Sequence, residues 1–369
     1  MSQLRTTLCD DFGIRYPIMQ AGMGMRGLAT PPELVAAVSN AGGMGFLGCS
    51  WLDAEEVRRR IRRVKELTDK PFGVNLLLPA SMDNASIPDR GEMRLRIRKD
   101  HPAHARFLED LLKTHGLEPV EAVGTAMSPD FIRAQVDAFV EEGVAAFAAG
   151  LGDPGWAVPK AHAAGIKVLG LAGTVRNAAR QVEAGVDYVI TQGYEAGGHT
   201  GTIANFALIP AVVEAISPKP VIAAGAIASG QAMVSALALG AVGVWIGTAF
   251  LLSEETHTPA GHQEAIIGGA AEDFVITRAY TGKTARDYRN DVIKAWEASG
   301  LKALPMPLQG VLMDDFVAAA TKANRDDLTN NAAGQISGML TRKRPASEIV
   351  MRIVEEAERS MDRLEAMRA

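Results

Sequence analysis

The chain has 369 residues, 47% of them hydrophobic and only 5% aromatic, with 37 glycines; this is enough apolar material for one large core with helices packed closely on strands. A formal charge of -5 gives polyanions no general attraction and argues against a nucleic-acid role. Two cysteines, Cys9 and Cys49, are too few for a disulfide framework or a thiolate metal site, and the opening MSQLRTTLCDDF lacks an apolar signal core, so a cytoplasmic setting and no metal are expected.

Short apolar runs recur down the chain, each followed by a turn signal and, with one exception, a stretch of helical spacing. The first run, 17–20, leads to a helix over 31–40; the second, 45–47, ends near Cys49, read as a buried inert thiol, and leads to a helix over 54–67. After the third run, 72–76, comes an insertion at 79–125, whose charged stretch RGEMRLRIRKDHPAHARFLEDLLKTH is expected to form either a solvated surface helix or part of a lid. A helix over 129–142 restores the alternation. Strands at 145–149, 167–171, 188–191, 220–223 and 242–246 then alternate with helices at 154–164, 175–184, 207–216 and 231–239.

Residues 220–253 carry no charge and are long enough to imitate a membrane span, but five glycines divide them as a buried strand, helix and strand are divided. No membrane role is therefore expected. The remainder, 251–369, is loop-rich and ends in an amphipathic helix over 345–367 that should pack on the outside. Eight strand-helix units imply parallel strands and a TIM-type (β/α)8 barrel in one domain, with a doubly wound open sheet as the alternative.

In such a barrel the loops after the strands build the site, and those after the last two strands commonly hold a phosphate. Here those turns are Gly225-Ala226 and Trp245-Ile246-Gly247-Thr248, whose backbone amides can face an anion. The loop Ala21-Gly22-Met23 after the first strand can lie against a planar ring, and Asn75 and Gln192 can hydrogen-bond a heterocycle's edge without adding charge. Gly197 and Gly198 precede His199 in a flexible loop at the mouth of the sixth strand, where an imidazole can act as a base near neutral pH. Tyr194 can line the same pocket or simply pack. A planar heterocycle with a phosphate tail reads as FMN.

The segments PIMQAGMG at 17–24, FGVNLL at 72–77, GVDYVITQGYEAGGHTG at 185–201, AAGAIASGQAMVSALALGAVGVWIGTAF at 223–250 and TGKTAR at 281–286 together resemble the nitronate monooxygenase family. The resemblance implies an FMN enzyme that oxidises alkyl nitronates, or nitroalkanes, with O2 to a carbonyl compound and nitrite. It makes His199 the catalytic residue, places Asn75, Gln192 and Gly197 against the flavin, and puts the turns at 225–226 and 245–248 on the phosphate. The chain departs from the family pattern at Ala226, where a glycine is usual, and at Trp245-Ile246, often Gln-Met. The same motifs occur in flavin-dependent enoyl-acyl-carrier-protein reductases and quinone reductases. An NAD(P)H-dependent reductase is therefore the alternative, with the basic stretch Arg90 to Lys99 as a dock for an acidic carrier protein. A non-catalytic flavin-binding protein is a third reading, disfavoured by His199 in its full loop. Oligomeric state is left open, a homo-oligomer included.

Overall fold

A computed structural model describes residues 4–24, 28–78, 89–123 and 128–368. Eight parallel strands close into a barrel: β1 (Ile18–Gln20), β2 (Met44–Gly48), β3 (Phe72–Leu77), β4 (Ala146–Gly150), β5 (Lys167–Ala172), β6 (Tyr188–Gln192), β8 (Val221–Ala224) and β9 (Gly243–Ile246). Closure is made by β1 and β9, with Met19 opposite Trp245, which rules out the open sheet. The charge-free run at 220–253 is β8, a helix, β9 and a 3-10 turn, and among the described residues no helix is long and apolar enough to cross a membrane.

The helices in chain order are α1 (Thr7–Phe12), α2 (Pro32–Asn40), α3 (Ala54–Leu67), α4 (Arg90–Asp100), α5 (Pro102–Thr114), α6 (Pro129–Glu142), α7 (Val158–Ala163), α8 (Val175–Glu183), α9 (Asn205–Ile216), α10 (Gly230–Ala238), α11 (Ala260–Gly268), α12 (Asp291–Ser299), α13 (Leu308–Lys322) and α14 (Ala346–Ala366). Their sequences explain their placement. In α3 the Asp53 carboxylate caps the Glu56 N–H, and Val57, Ile61 and Val64, spaced four and three apart, bury one stripe. Helix α7 starts at Val158 rather than 154, because a turn in which the Ala157 N–H donates to the Pro154 carbonyl precedes it, and α9 starts at Asn205 rather than 207.

The barrel interior is filled by inward side chains including Met19, Phe46, Leu169, Ile190 and Trp245. Leu8, Cys9 and Phe12 of α1 join that cluster and plug the end where the strands begin, so the opposite end is the open one. Cys49 is fully buried, and burial pushes its thiol up to about 12, the inert thiol expected. The C-terminal helix α14 packs against α10 and α2 on the barrel's outside, as its amphipathic spacing requires.

Two parts of the chain add a second apolar core beside the barrel. Met93, Ile97, Leu111 and Leu112 from α4 and α5 meet Val292, Ile293, Trp296, Leu308 and Phe316 from α12 and α13. The charged insertion is thus neither wholly solvated nor a single helix: His101-Pro102 breaks it, and each half buries a few apolar residues. Its flanks, 79–88 and 124–125, lie outside the described residues. A small antiparallel sheet, β10 (Phe274–Thr277), β11 (Ala285–Tyr288) and β7 (Gly198–His199), joins this region to the barrel mouth. These three short strands are missing from the sequence reading: β7 has only two residues, and β10 and β11, four residues each, lie in the stretch after 251 read as loop-rich.

Candidate active site

His199 is held by its backbone before its ring is considered. It lies in β7 directly opposite Ala285 of β11, and its carbonyl accepts from the Gln192 side-chain amide. The preceding Gly198 has φ +68, which turns the chain from the end of β6 back across the barrel mouth. The half-buried ring places Nε2 3.3 Å from Thr281 Oγ1. Burial pushes the imidazole pKa below its usual value, and the nearby Lys283 ammonium pushes the same way. The ring is therefore neutral at pH 7 and able to accept a proton.

The two expected phosphate turns lie side by side, because β8 and β9 are neighbours. Asn205 Nδ2 donates to the carbonyls of Ala224 (3.0 Å) and Gly225 (2.6 Å), pinning the first turn. Gly225 has φ +99 and Ala226 φ +55, so alanine stands in a left-handed conformation where glycine carries no strain. Among the described residues the backbone N–H groups of Ala226, Gly247 and Thr248 donate to no protein acceptor. Such amides at a barrel mouth form a cradle for an anion. The Thr248 hydroxyl accepts from the Gly334 N–H at 3.0 Å, which fixes its oxygen and leaves its O–H free to donate.

The remaining expected residues fall around the same mouth, with limits on what each can offer. A Cβ on Gly22 would lie 2.5 Å from Asn75 Cβ, so glycine there lets the loop after β1 close on Asn75. A Cβ on Gly247 would stand 3.1 Å from Met23 Sδ and 3.9 Å from Ala21, which joins that loop to the second turn. Asn75 Nδ2 donates to the Ala148 carbonyl at 2.8 Å and Gln192 Nε2 to His199, leaving each amide its oxygen as an acceptor. Trp245 packs edge-on to Phe46 inside the barrel and Ile246 is buried among the outer helices, so both can reach a ligand only through backbone. Tyr194 packs: its ring lies 4.6 Å from the buried Arg286 guanidinium, which also donates to the Tyr194 carbonyl.

Several residues at the mouth went unassigned in the sequence. Thr281 and Lys283 belong to TGKTAR, a stretch noted as a motif but given no role. The segment Ala333-Gly334 packs so tightly on Gly197 that a Cβ there would come within 2.5 Å of Ala333, while the Gln335 N–H donates to the Glu195 carbonyl at 3.0 Å. Gly197 is thus required by protein contacts alone. The Glu195 carboxylate in turn accepts from the Asn205 N–H, linking the histidine loop to the turn after β8. Asn205 is the first residue of α9 and caps nothing, so helix-start signals do not single it out.

The nitronate monooxygenase family profile matches residues 5–356. The chain is 35% identical over 370 residues to a putative monooxygenase of Mycobacterium tuberculosis, covering 96% of each, and 32% identical over 374 residues to a probable nitronate monooxygenase of Staphylococcus saprophyticus, covering 98% of this chain and 100% of the other. Among solved structures it is similar to a nitroalkane oxidase from Streptomyces ansochromogenes (TM-score 0.82, 30% identity, 97% of this chain and 100% of the other). It is also similar to FabK from Thermotoga maritima (TM-score 0.77, 28% identity, 99% and 100%).

Proposed function

The chain belongs to the nitronate monooxygenase family, and from that premise we propose that it oxidises alkyl nitronates, and nitroalkanes after loss of their α-proton, with O2 at a bound FMN to give a carbonyl compound and nitrite. It is an oxidoreductase. The observation that carries the reading is the pairing of a neutral, backbone-anchored His199 with the adjacent Ala226 and Gly247-Thr248 amides at the barrel's open end. FMN fits this mouth: those amides would take its phosphate. The loop Ala21-Gly22-Met23 and Gly197-Gly198, with the Asn75 and Gln192 oxygens, would face its ring system. When bound, FMN supplies the electron-accepting chemistry and the reaction with O2.

The chain's own residues do the rest. With Nε2 turned to Thr281, the nitrogen of His199 left to take the α-proton is Nδ1, which has no hydrogen-bond partner among the described residues. On a preformed nitronate no proton remains to be moved, and the ring serves to orient the carbon. The reductase alternative has less support, because Arg90 and Arg94 of the basic stretch are already paired with Asp314 and Asp315 at 2.9 and 2.7 Å.

The test is direct. The flavin released on denaturation should be FMN, and it should bleach with a nitronate in the absence of O2 but not with NADH or NADPH. Bleaching by the nicotinamides alone would transfer the chain to the reductase reading. The His199→Asn variant should keep FMN and lose roughly two to four orders of magnitude on nitroalkanes, the usual scale for a general base. Its loss on nitronates should be smaller; equal losses would assign His199 to positioning.

A further inference from the structure

The loop between β10 and β11 brings a cation to the mouth that the protein does not neutralise. Lys283 is half-buried, and its ammonium has no ion pair or hydrogen bond among the described residues. Its backbone is fixed: Thr281 Oγ1 accepts from the Lys283 N–H at 3.2 Å and donates to its carbonyl at 3.3 Å. The same hydroxyl lies 3.3 Å from His199 Nε2, so one threonine sets both the lysine's loop and the histidine's ring. Behind the loop, Ala279 and Tyr280 are anchored in the second apolar core, and Arg278 Nε donates to the Gly282 carbonyl at 2.8 Å.

A partly desolvated ammonium without a carboxylate partner gains most when an anion arrives. The nitro group of a nitroalkane is neutral overall, whereas a nitronate carries a full negative charge shared between its two oxygens. We propose that Lys283 is the substrate-anion receptor of this site: its ammonium holds a nitronate oxygen, sets the preference for the anionic form over the neutral nitroalkane, and is positioned for this by Thr281. The proposal rests on the nitronate reading given above. A lysine also suits a small anion that must leave after each turnover, since it acts as a point charge rather than a bidentate clamp.

The experiment compares the FMN-loaded wild type with Lys283→Met and Lys283→Arg on propyl-2-nitronate and on 2-nitropropane, alongside calorimetric titration with sodium nitrite. Loss of a charge-assisted hydrogen bond should raise KM for the nitronate about tenfold or more in Lys283→Met. KM for 2-nitropropane should move much less, nitrite binding should weaken in proportion to the nitronate effect, and Lys283→Arg should restore most of both. Removing the cation should also shift the acid limb of the nitroalkane pH profile upward, which a merely structural role would not do. Equal changes on both substrates, or unchanged nitronate KM and nitrite affinity, would overturn the proposal while leaving nitronate oxidation standing. If the wild type turns over no nitronate, the functional reading fails, and the nitrite titration alone decides: binding lost in Lys283→Met retains the anion receptor, and no wild-type binding overturns it. Should Lys283→Met not fold, Lys283→Gln replaces it.

Discussion

Asp287 lies on β11 beside Arg286, fully buried, with neither carboxylate oxygen hydrogen-bonded among the described residues. Burial pushes its pKa from 3.8 up to about 7. The folded protein thus holds this proton more tightly than the unfolded chain does. Its contribution to stability is complete below about pH 4, declines as pH rises, and is lost by about pH 7. At about 1.4 kcal/mol per unit the total is on the order of 4 kcal/mol. Asp287→Asn cannot titrate, so the melting temperature of the wild type relative to the variant should fall between pH 5 and pH 8; a constant difference would mean that Asp287 has an undetected partner. His199 has the opposite sense, because its proton is disfavoured in the folded state. Activity on nitroalkanes should therefore stay level through neutral pH and decline only below about 6.5, the unperturbed histidine value. A decline beginning above that value would contradict the neutral ring.

At the scale of elements, the turn after β8 offers the sharpest test of the phosphate site. Ala226 sits at φ +55 where glycine is unstrained. Ala226→Gly should raise stability by about 1 kcal/mol, the lower end of the left-handed penalty, and retain FMN. Ala226→Val, β-branched at positive φ, should lower both. Gly247→Asp should abolish FMN retention in a folded protein, because a carboxylate would face the phosphate and its Cβ would crowd Met23 Sδ at 3.1 Å. Normal flavin content in Gly247→Asp would place the phosphate elsewhere. All eight barrel strands were legible in the sequence because each is a short apolar run between turn signals, and their ends disclosed the histidine and both turns. Thr281, Lys283, Asn205 and Gly334 were not, because nothing local in a polar loop says which strand it will return to. Such residues are fixed by contacts across the fold, Thr248 to Gly334 for example, that leave no trace in periodicity.

For the whole molecule, we read the chain as one barrel domain in which α4 and α5 of the insertion and α12 and α13 of the C-terminal extension form a helical cap beside the mouth. The cap is tied together by Arg94, whose guanidinium binds Asp315 at 2.7 Å, while Asp315 also accepts from the Ala122 N–H at 2.9 Å. Arg94→Ala would leave Asp315 without its charged partner and should cost about 1–3 kcal/mol. Hydrogen exchange should then speed up in α4, α5 and α13 with little change in the barrel strands. Uniform acceleration throughout would show instead that cap and barrel unfold together.

The ladder between β7 and β11 also sets the order in which a growing chain can acquire its chemistry. His199 pairs with Ala285, and Thr248 bonds Gly334, whereas the last barrel strand is finished at Ile246. A nascent chain extending only to residue 252 would hold every barrel strand and the turns after β8 and β9, yet it would lack the partner strand of His199, the threonine facing its ring and the lysine beside it. Ribosomal synthesis therefore delivers the scaffold and the turns proposed for the phosphate first. The residues proposed to move the proton come together only later, when the chain returns to a loop it left some eighty residues earlier.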